Sequence, residues 1–453
     1  MRNNTERKVA YPPGPPWYKV WSEGPKIDRA KFMLDLHNRY GDVMRIRGLK
    51  PIYAVRSPEY VRQILTKAWP DYTKNTIDYR VMGQIFGGGL VTNDGESWAK
   101  QRRLIQPVFA NSNVNRFDDI INSVTQKLVD KWYALSPNEA VWLDQEMSHI
   151  TFQIVCRTLF GENFDHHAGE IAALLRGNNR HTQSFASLMT LFPWIPTANN
   201  KRFIRNKQKL DRIVYEIIDA HQDGQGKEND IVHRLLSIQD PDTGLPLDKV
   251  QIRDEILTLM LAGHETSATT LNWTFYLLSK NPEVKQKLEK ELGKILNGSP
   301  ARSEDLERLP YLKKVVQESM RIYPPAWGLA RKTSSDSIFG KYKIPAQSYI
   351  SIIIYAIHRH PEFWPHPEVF DPERFSSEQQ KSRHPYAYLP FSAGPRACIG
   401  ANMSMLEIQL ILAQLLQYFD IEPIADHPVV PYAGVTLKPQ RGIAVNIKRK
   451  SVH

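Results

Sequence analysis

Cysteine is nearly absent: the 453-residue chain has two, Cys156 and Cys398, far apart and in different contexts. That excludes a disulfide framework as the source of stability and fits a reducing compartment. Long apolar runs are missing too. The opening residues Met1-Arg2-Asn3-Asn4-Thr5-Glu6-Arg7-Lys8 are polar, with no stretch of the length that a signal peptide or a membrane span requires. A cytoplasmic protein with no membrane anchor is the expectation. There is no internal repeat, no low-complexity tract, no convincing linker and no nucleic-acid motif, so a nucleic-acid partner is not expected.

What is present is a large apolar fraction and a basic surplus. Hydrophobic residues make up 42% of the chain and the formal net charge is +11. Residues 1–110 alone carry 19 basic and 10 acidic side chains. A basic surface attracts anionic membranes or acidic proteins, or simply keeps a protein soluble. The length would allow two or three domains, but the pattern along the chain reads as one domain over 1–453, with an extended arm at 1–16 built on Pro12-Pro13-Gly14-Pro15-Pro16. A helix is expected through Phe32, Leu36 and Tyr40, ended by Gly41. Short paired strands follow at 43–47 and 52–55. Residues 115–335 read as mainly helical, with a polar loop at 222–229. Strands return at 348–355 and 442–447, and a long helix is expected at about 400–418. The fold class is mainly α with a small β region.

The segment 248–280 runs for roughly 33 residues without proline and would make a helix about 50 Å long. It is apolar around most of its circumference, as a buried helix is. Its centre nevertheless reads Ala262-Gly263-His264-Glu265-Thr266-Ser267. Glycine in a helix costs about 1 kcal/mol relative to alanine, and buried polar groups cost more unless paired. The block is either a tolerated kink or a groove in which a ligand lies against bare backbone, with Glu265 and Thr266 supplying a proton path. Cys156 sits after the apolar run Phe152-Gln153-Ile154-Val155 and reads as a buried small hydrophobe.

Cys398 stands in Phe391-Ser392-Ala393-Gly394-Pro395-Arg396-Ala397-Cys398-Ile399-Gly400, a turn-rich loop feeding the long C-terminal helix. A helix N-terminus stabilises an anion and lowers a thiol pKa. A thiolate there is a nucleophile or a metal ligand. Gly394 and Gly400 allow a tight loop and the close approach of a flat cofactor, and Arg396 can reach a carboxylate.

This F-x-x-G-x-R-x-C-x-G loop resembles the haem-binding loop of the cytochrome P450 family, matching it at every fixed position. Further segments in the family's order strengthen the resemblance. Ala262 to Thr266 is similar to its oxygen-activation motif, Glu318-Ser319-Met320-Arg321 to its E-x-x-R pair, Pro372-Glu373-Arg374-Phe375 to the segment completing a Glu-Arg-Arg triad, and Trp98 to Arg102 to its W-x-x-x-R helix. The resemblance spans the chain from the proline arm to about Ile447. It implies the cytochrome P450 fold, a haem b cofactor and Cys398 as the iron ligand. Cofactor contacts are implied for Trp98, Arg102, Ala262, Gly263, Arg331, Phe391, Arg396 and Gly400. Thr266 and Glu265 take the catalytic roles, presenting a hydroxyl to dioxygen and relaying protons, with Gly263 leaving room. Glu318, Arg321 and Arg374 form a structural triad; E-x-x-R alone would read as a solvated helix pair. His264 is read as a filler, and His358 and Arg359 as structural.

The implied activity is that of a haem-thiolate monooxygenase, an oxidoreductase inserting one oxygen atom of O2 into a hydrophobic small molecule such as a fatty acid, terpenoid or polyketide. Wording of the loops around Pro372–Phe375 and Gly394–Arg396 leans toward the branch rich in fatty-acid hydroxylases. Pocket positions are assigned by place to Tyr79, Met82, Phe86, Leu90, Phe185, Leu259, Ala262, Trp327, Leu329, Val435 and Leu437, with Met189, Leu191 and Phe192 beside them; core packing is the alternative for at least half. No flavin or iron–sulfur segment follows Ile447, so electrons are expected from an acidic ferredoxin or flavodoxin with its reductase, docked in part by Lys100 and Arg103. A monomer is expected. The rival readings are an O2-independent peroxygenase or isomerase, and a non-catalytic haem-binding protein.

Overall fold

Local signals set most of the element boundaries. In a computed structural model describing residues 10–23, 28–48, 50–136, 139–182, 195–227 and 230–450, Asp28 caps the helix Arg29–Tyr40 by accepting from the Ala30 N–H, and Gly41 ends it. Asp248 caps the central helix Lys249–Lys280 through the Gln251 N–H at 2.8 Å. That helix stops at Asn281-Pro282, where the proline forecloses continuation. The described residues divide into two compact units, each assembled from separate stretches of chain.

The first unit holds residues 1–76, 326–369 and 378–398. Its centre is a five-stranded sheet in the spatial order Val43–Ile46, Ile52–Val55, Tyr349–Ile352, Leu329–Thr333, Tyr72–Thr73. The first two strands pair antiparallel with Val43 opposite Val55, and Ile52–Val55 runs parallel to Tyr349–Ile352. Alternate residues Tyr53, Val55, Ile350 and Ile352 enter one apolar cluster with Ile64, Tyr72 and Leu389. The proline arm lies along this sheet, its Pro13 carbonyl accepting the Arg45 N–H at 2.8 Å. The strand expected over 348–355 is shorter. The Tyr355 N–H turns to the Trp327 carbonyl, and a four-residue helix, Ile354–Ile357, takes over.

The second unit holds residues 77–325, 370–377 and 399–453. The central helix packs on Leu143–Phe160, Pro310–Ile322 and Ala401–Tyr418. An antiparallel sheet of Ala140–Trp142, Ala444–Arg449 and Phe419–Pro423 and the hairpin Pro431–Ala433 with Leu437–Pro439 complete it. Among the described residues the region 115–335 is mainly helical, as expected, with strands at 140–142 and 329–333. Among the described residues no helix is long and apolar enough to cross a membrane.

Candidate functional site

The central helix is buried over Ile252–Thr258 and again over Ser267–Phe275, but Leu259 and Leu261–Thr266 between them are accessible, Ala262 most of all. Leu259, Ala262, Gly263 and Thr266 follow one another at helical spacing, so they share one face. A narrow apolar window carrying one hydroxyl therefore opens in the middle of an otherwise buried helix. The Thr266 hydroxyl donates to the Ala262 carbonyl at 2.7 Å. Gly263 has a packing reason: a Cβ there would stand 2.6 Å from Val155 Cγ2 of the neighbouring helix. His264 turns its ring edge-on to Phe152 and bonds the Met260 carbonyl, while Thr151 donates to the His264 carbonyl.

Glu265 points toward the C-terminal hairpin. Thr436 Oγ1 donates to its Oε1 at 2.9 Å, and Lys438 Nζ lies 3.4 Å away. Lys438 is half-exposed while Glu265 is largely covered, so the pair forms a polar track from the surface to the helix. Neither Thr436 nor Lys438 was identified from the residue pattern, because nothing local ties a strand at 437–439 to a helix at 265.

The E-x-x-R pair is fully buried. Arg321 donates Nε to Glu318 Oε2 at 2.6 Å and Nη2 to Oε1 at 2.8 Å. Arg374 Nε stands 3.4 Å from Glu318 Oε1, and the Asp371 N–H donates to the same oxygen at 3.0 Å. Three separated charges and one backbone amide meet in the interior, and the Glu318–Arg321 pair is not solvated, since both side chains are inaccessible.

Cys398 lies in the first unit at the end of the loop. It is exposed, whereas Cys156 is buried and its thiol is pushed far up by desolvation. The Cys398 N–H donates to the Phe391 carbonyl at 2.9 Å, closing the loop on itself. The long helix begins only at Ala401, with Gly400 as its cap residue, so the cysteine stands ahead of the first turn rather than on it. Gly394 adopts φ 72°, and a Cβ there would stand 2.0 Å from the Leu65 carbonyl oxygen. Only glycine fits that approach. Arg396 lies over the Trp69 ring at 5.8 Å. Arg331 is buried in its strand and donates to the Ala330 carbonyl. His358 accepts the Leu389 N–H and Arg359 pairs with Glu368, so both hold structure.

In the second unit Trp98 is buried on the helix Gly95–Ile105, and Arg102 of that helix donates to Gln106. Lys100 and Arg103, expected to be available for docking, are paired with Asp240 and Asp242 of one turn. Among the pocket positions, Tyr79 and Met82 are half-buried on Ile77–Phe86, with Phe86 and Leu90 buried beyond them. Leu437 is wholly buried, its carbonyl accepting the Trp273 indole N–H at 2.7 Å, and Val435 is exposed. Trp327 and Leu329 are half-buried in the first unit. Phe185, Met189, Leu191 and Phe192 lie outside the described residues.

Among the described residues no group of three His, Cys, Asp or Glu side chains could hold a metal. The accessible Cys398 thiol, the loop that glycine keeps tight and Arg396 within that loop fit a flat haem cofactor.

The family profile described as cytochrome P450 matches residues 12–446. Cyclooctatin synthase of Streptomyces melanosporofaciens is 31% identical over 405 residues, covering 88% of this chain and 87% of that protein. Cytochrome P450 4V2 of Homo sapiens is 32% identical over 431 residues, covering 89% and 81%. The crystal structure of the cytochrome P450DA heme domain superposes with a TM-score of 0.88 at 24% identity, over 98% of this chain and 99% of that one, which establishes the fold. The chain belongs to the cytochrome P450 family of haem b oxidoreductases.

Proposed function

We propose that the protein is a monooxygenase that inserts one oxygen atom of O2 into a hydrophobic small molecule, with electrons from a separate acidic ferredoxin or flavodoxin and its reductase. The observation that carries this reading is the accessible window on the central helix, where a lone hydroxyl sits among apolar side chains. Haem bound through a thiolate supplies dioxygen activation, since the sulfur's electron density favours O–O cleavage. Cys398 would hold the iron. Arg102, Arg331 and Arg396 would neutralise the propionates, and the Trp98 indole N–H would donate a hydrogen bond to one of them. Thr266 would exchange its bond to the Ala262 carbonyl for one to dioxygen, and Glu265 would pass protons inward from the Lys438 side. The triad would anchor Phe370–Ser377, from which the chain runs on to the Cys loop. Tyr79, Met82, Phe86, Leu90, Leu259, Ala262, Trp327 and Leu329 would face the substrate.

A terpenoid is favoured over a fatty acid or polyketide. Cyclooctat-9-en-7-ol 5-monooxygenase of Streptomyces melanosporofaciens is 31% identical over 391 residues and is named for an unsaturated alcohol. We place the protein in the cytoplasm, in keeping with two free cysteines, one of them buried, and read it as a monomer.

A library of terpenoids, fatty acids and polyketides, screened by the spin-state shift of the ferric haem and followed by product analysis with reductase and ferredoxin, tests the reading. A terpenoid should give both a shift and an oxygenated product. A shift without NAD(P)H-dependent product overturns catalysis, and product formed from peroxide alone assigns a peroxygenase instead. In Glu265→Gln, turnover with reductase should fall on the order of 10²-fold, the scale of a lost acid–base group.

A further inference from the structure

The loop between Ile77–Phe86 and Gly95–Ile105 contains three successive glycines that press on the central helix. A Cβ at Gly87 would stand 2.2 Å from Asp254 Oδ2, and one at Gly89 would stand 2.1 Å from Thr258 Oγ1 and 2.8 Å from the Asp254 carbonyl oxygen. No larger residue fits without moving the loop. The helix meets these bare backbone groups with acceptors. Asp254 Oδ2 accepts the Gly88 N–H at 2.7 Å, and Glu255 Oε2 accepts the Leu90 N–H at 3.3 Å. Gln101, reaching in from Gly95–Ile105, donates its Nε2 to the Gly88 carbonyl at 3.1 Å and also to Glu255 Oε1. Asn93 closes the ring by donating to Gln101 Oε1 at 2.8 Å. Glu255 is 0% exposed and Gln101 2%. A carboxyl buried this deeply is costly unless it is hydrogen-bonded, and the bonds that offset the cost here run to the loop and to Gln101.

We propose that Glu255 and Gln101 form a latch that fixes the loop 87–93, and with it Leu90, against the central helix, and so sets the wall a substrate meets. The inference rests on the reading of Leu90 and Leu259 as substrate-facing. Glu255 acts here as a positioning residue: it touches the loop and Gln101, and the loop carries Leu90. Because Gln101 and Trp98 share one helix, the latch also ties that wall to the helix assigned to the propionates.

The charged and titratable groups around Glu255 are few. From the loop come only backbone groups, and from Gly95–Ile105 comes neutral Gln101. The central helix adds Asp254 and Arg253, and Arg253 is committed to Asp254 and to Asp211 of Ala198–Gln222. Desolvation, opposed by the Leu90 amide and reinforced by the charge on Asp254, raises Glu255 to about 8. Below that pH the buried carboxyl is neutral. Above it a charge appears beside Asp254 with no cation paired to it among the described residues, and the latch loosens.

Hydrogen exchange of the 87–93 amides in the haem-loaded full-length protein, corrected for intrinsic rates, tests this together with 4-phenylimidazole binding read from the Soret band. In Glu255→Ala, exchange at pH 7 should rise roughly tenfold and the Kd for 4-phenylimidazole should shift severalfold, the scale expected when the Leu90 N–H loses its buried acceptor. In Glu255→Gln, whose amide keeps only one of the two acceptors, exchange at pH 7 should rise less than in Glu255→Ala, and the further rise that the wild type shows between pH 7 and 9 should vanish. Gln101→Ala gives the same opening if Glu255→Ala does not fold. Wild-type exchange in both alanine variants, or an identical pH profile in Glu255→Gln, overturns the latch. A loosened loop together with a Leu90→Phe variant that leaves 4-phenylimidazole binding unchanged supports the latch and rejects Leu90 as a pocket residue.

Discussion

Glu318 and Arg321 are joined by two parallel hydrogen bonds of 2.6 and 2.8 Å, and neither side chain is exposed at all. Bidentate geometry and full burial make each residue indispensable to the other. Glu318→Ala leaves Arg321 and Arg374 facing an empty acceptor position in the interior. It should lower stability by about 3–5 kcal/mol, the penalty for breaking a buried pair. Arg374→Ala should cost less, since its contact is the longer one at 3.4 Å. Urea unfolding of the full chain followed by tryptophan fluorescence checks the order; equal losses would contradict it.

Gly394 should tolerate no side chain. Alanine there combines a left-handed backbone, worth about 1–2 kcal/mol of strain, with a contact against the backbone of Leu65. Gly394→Ala should therefore reduce haem content per chain and shift the reduced carbonyl spectrum, because the loop bearing Cys398 cannot close. Full haem content with a wild-type spectrum would show that the loop adapts.

At Gly263 the obstacle is a side chain, Val155, so a second mutation can relieve it. Gly263→Ala should destabilise the protein by about 1–3 kcal/mol through overpacking. Adding Val155→Ala should recover much of that loss, giving a coupling energy of about 1 kcal/mol or more. Strict additivity in thermal or urea unfolding would locate the cost of the glycine elsewhere.

His221 provides a pH signature. Burial alone would depress its imidazole, but the bond of its Nε2 with Asp230 at 2.9 Å and that of its Nδ1 with the Ile217 carbonyl at 2.7 Å outweigh it, and the net pKa is raised. The folded state thus holds the proton more tightly than the unfolded chain, whose histidine titrates near about 6.5. The resulting stability is complete below that value and disappears as pH rises through the folded-state pKa. The difference in unfolding free energy between wild type and His221→Gln should therefore shrink between pH 6 and pH 9. A constant difference would mean that the ring stabilises only by stacking on Phe164.

Much of the loop bearing Cys398 was legible because its determinants are local. Gly394, Arg396 and Cys398 lie within five residues, and spacing alone places Glu318 and Arg321 on one helix face. Leu259, Ala262 and Thr266 are equally readable as one face. The partners of Glu265 and Glu255 were not. Thr436 is 171 residues from Glu265, and Gln101 is 154 from Glu255, and no periodicity reports such meetings. Lys100 and Arg103 looked available for the same reason: their acidic partners lie on a distant turn.

The residues by themselves carried the resemblance to the family, and with it the iron ligand to be expected; the long central helix was legible besides, since it follows from apolar periodicity and the absence of proline. Only the tertiary structure decided which buried charges find partners, why Gly263 must be bare, where the Glu265 carboxylate points and what holds the glycine loop against the central helix. Those outcomes depend on close packing and on desolvation, and both arise only when segments remote in the chain are brought into contact.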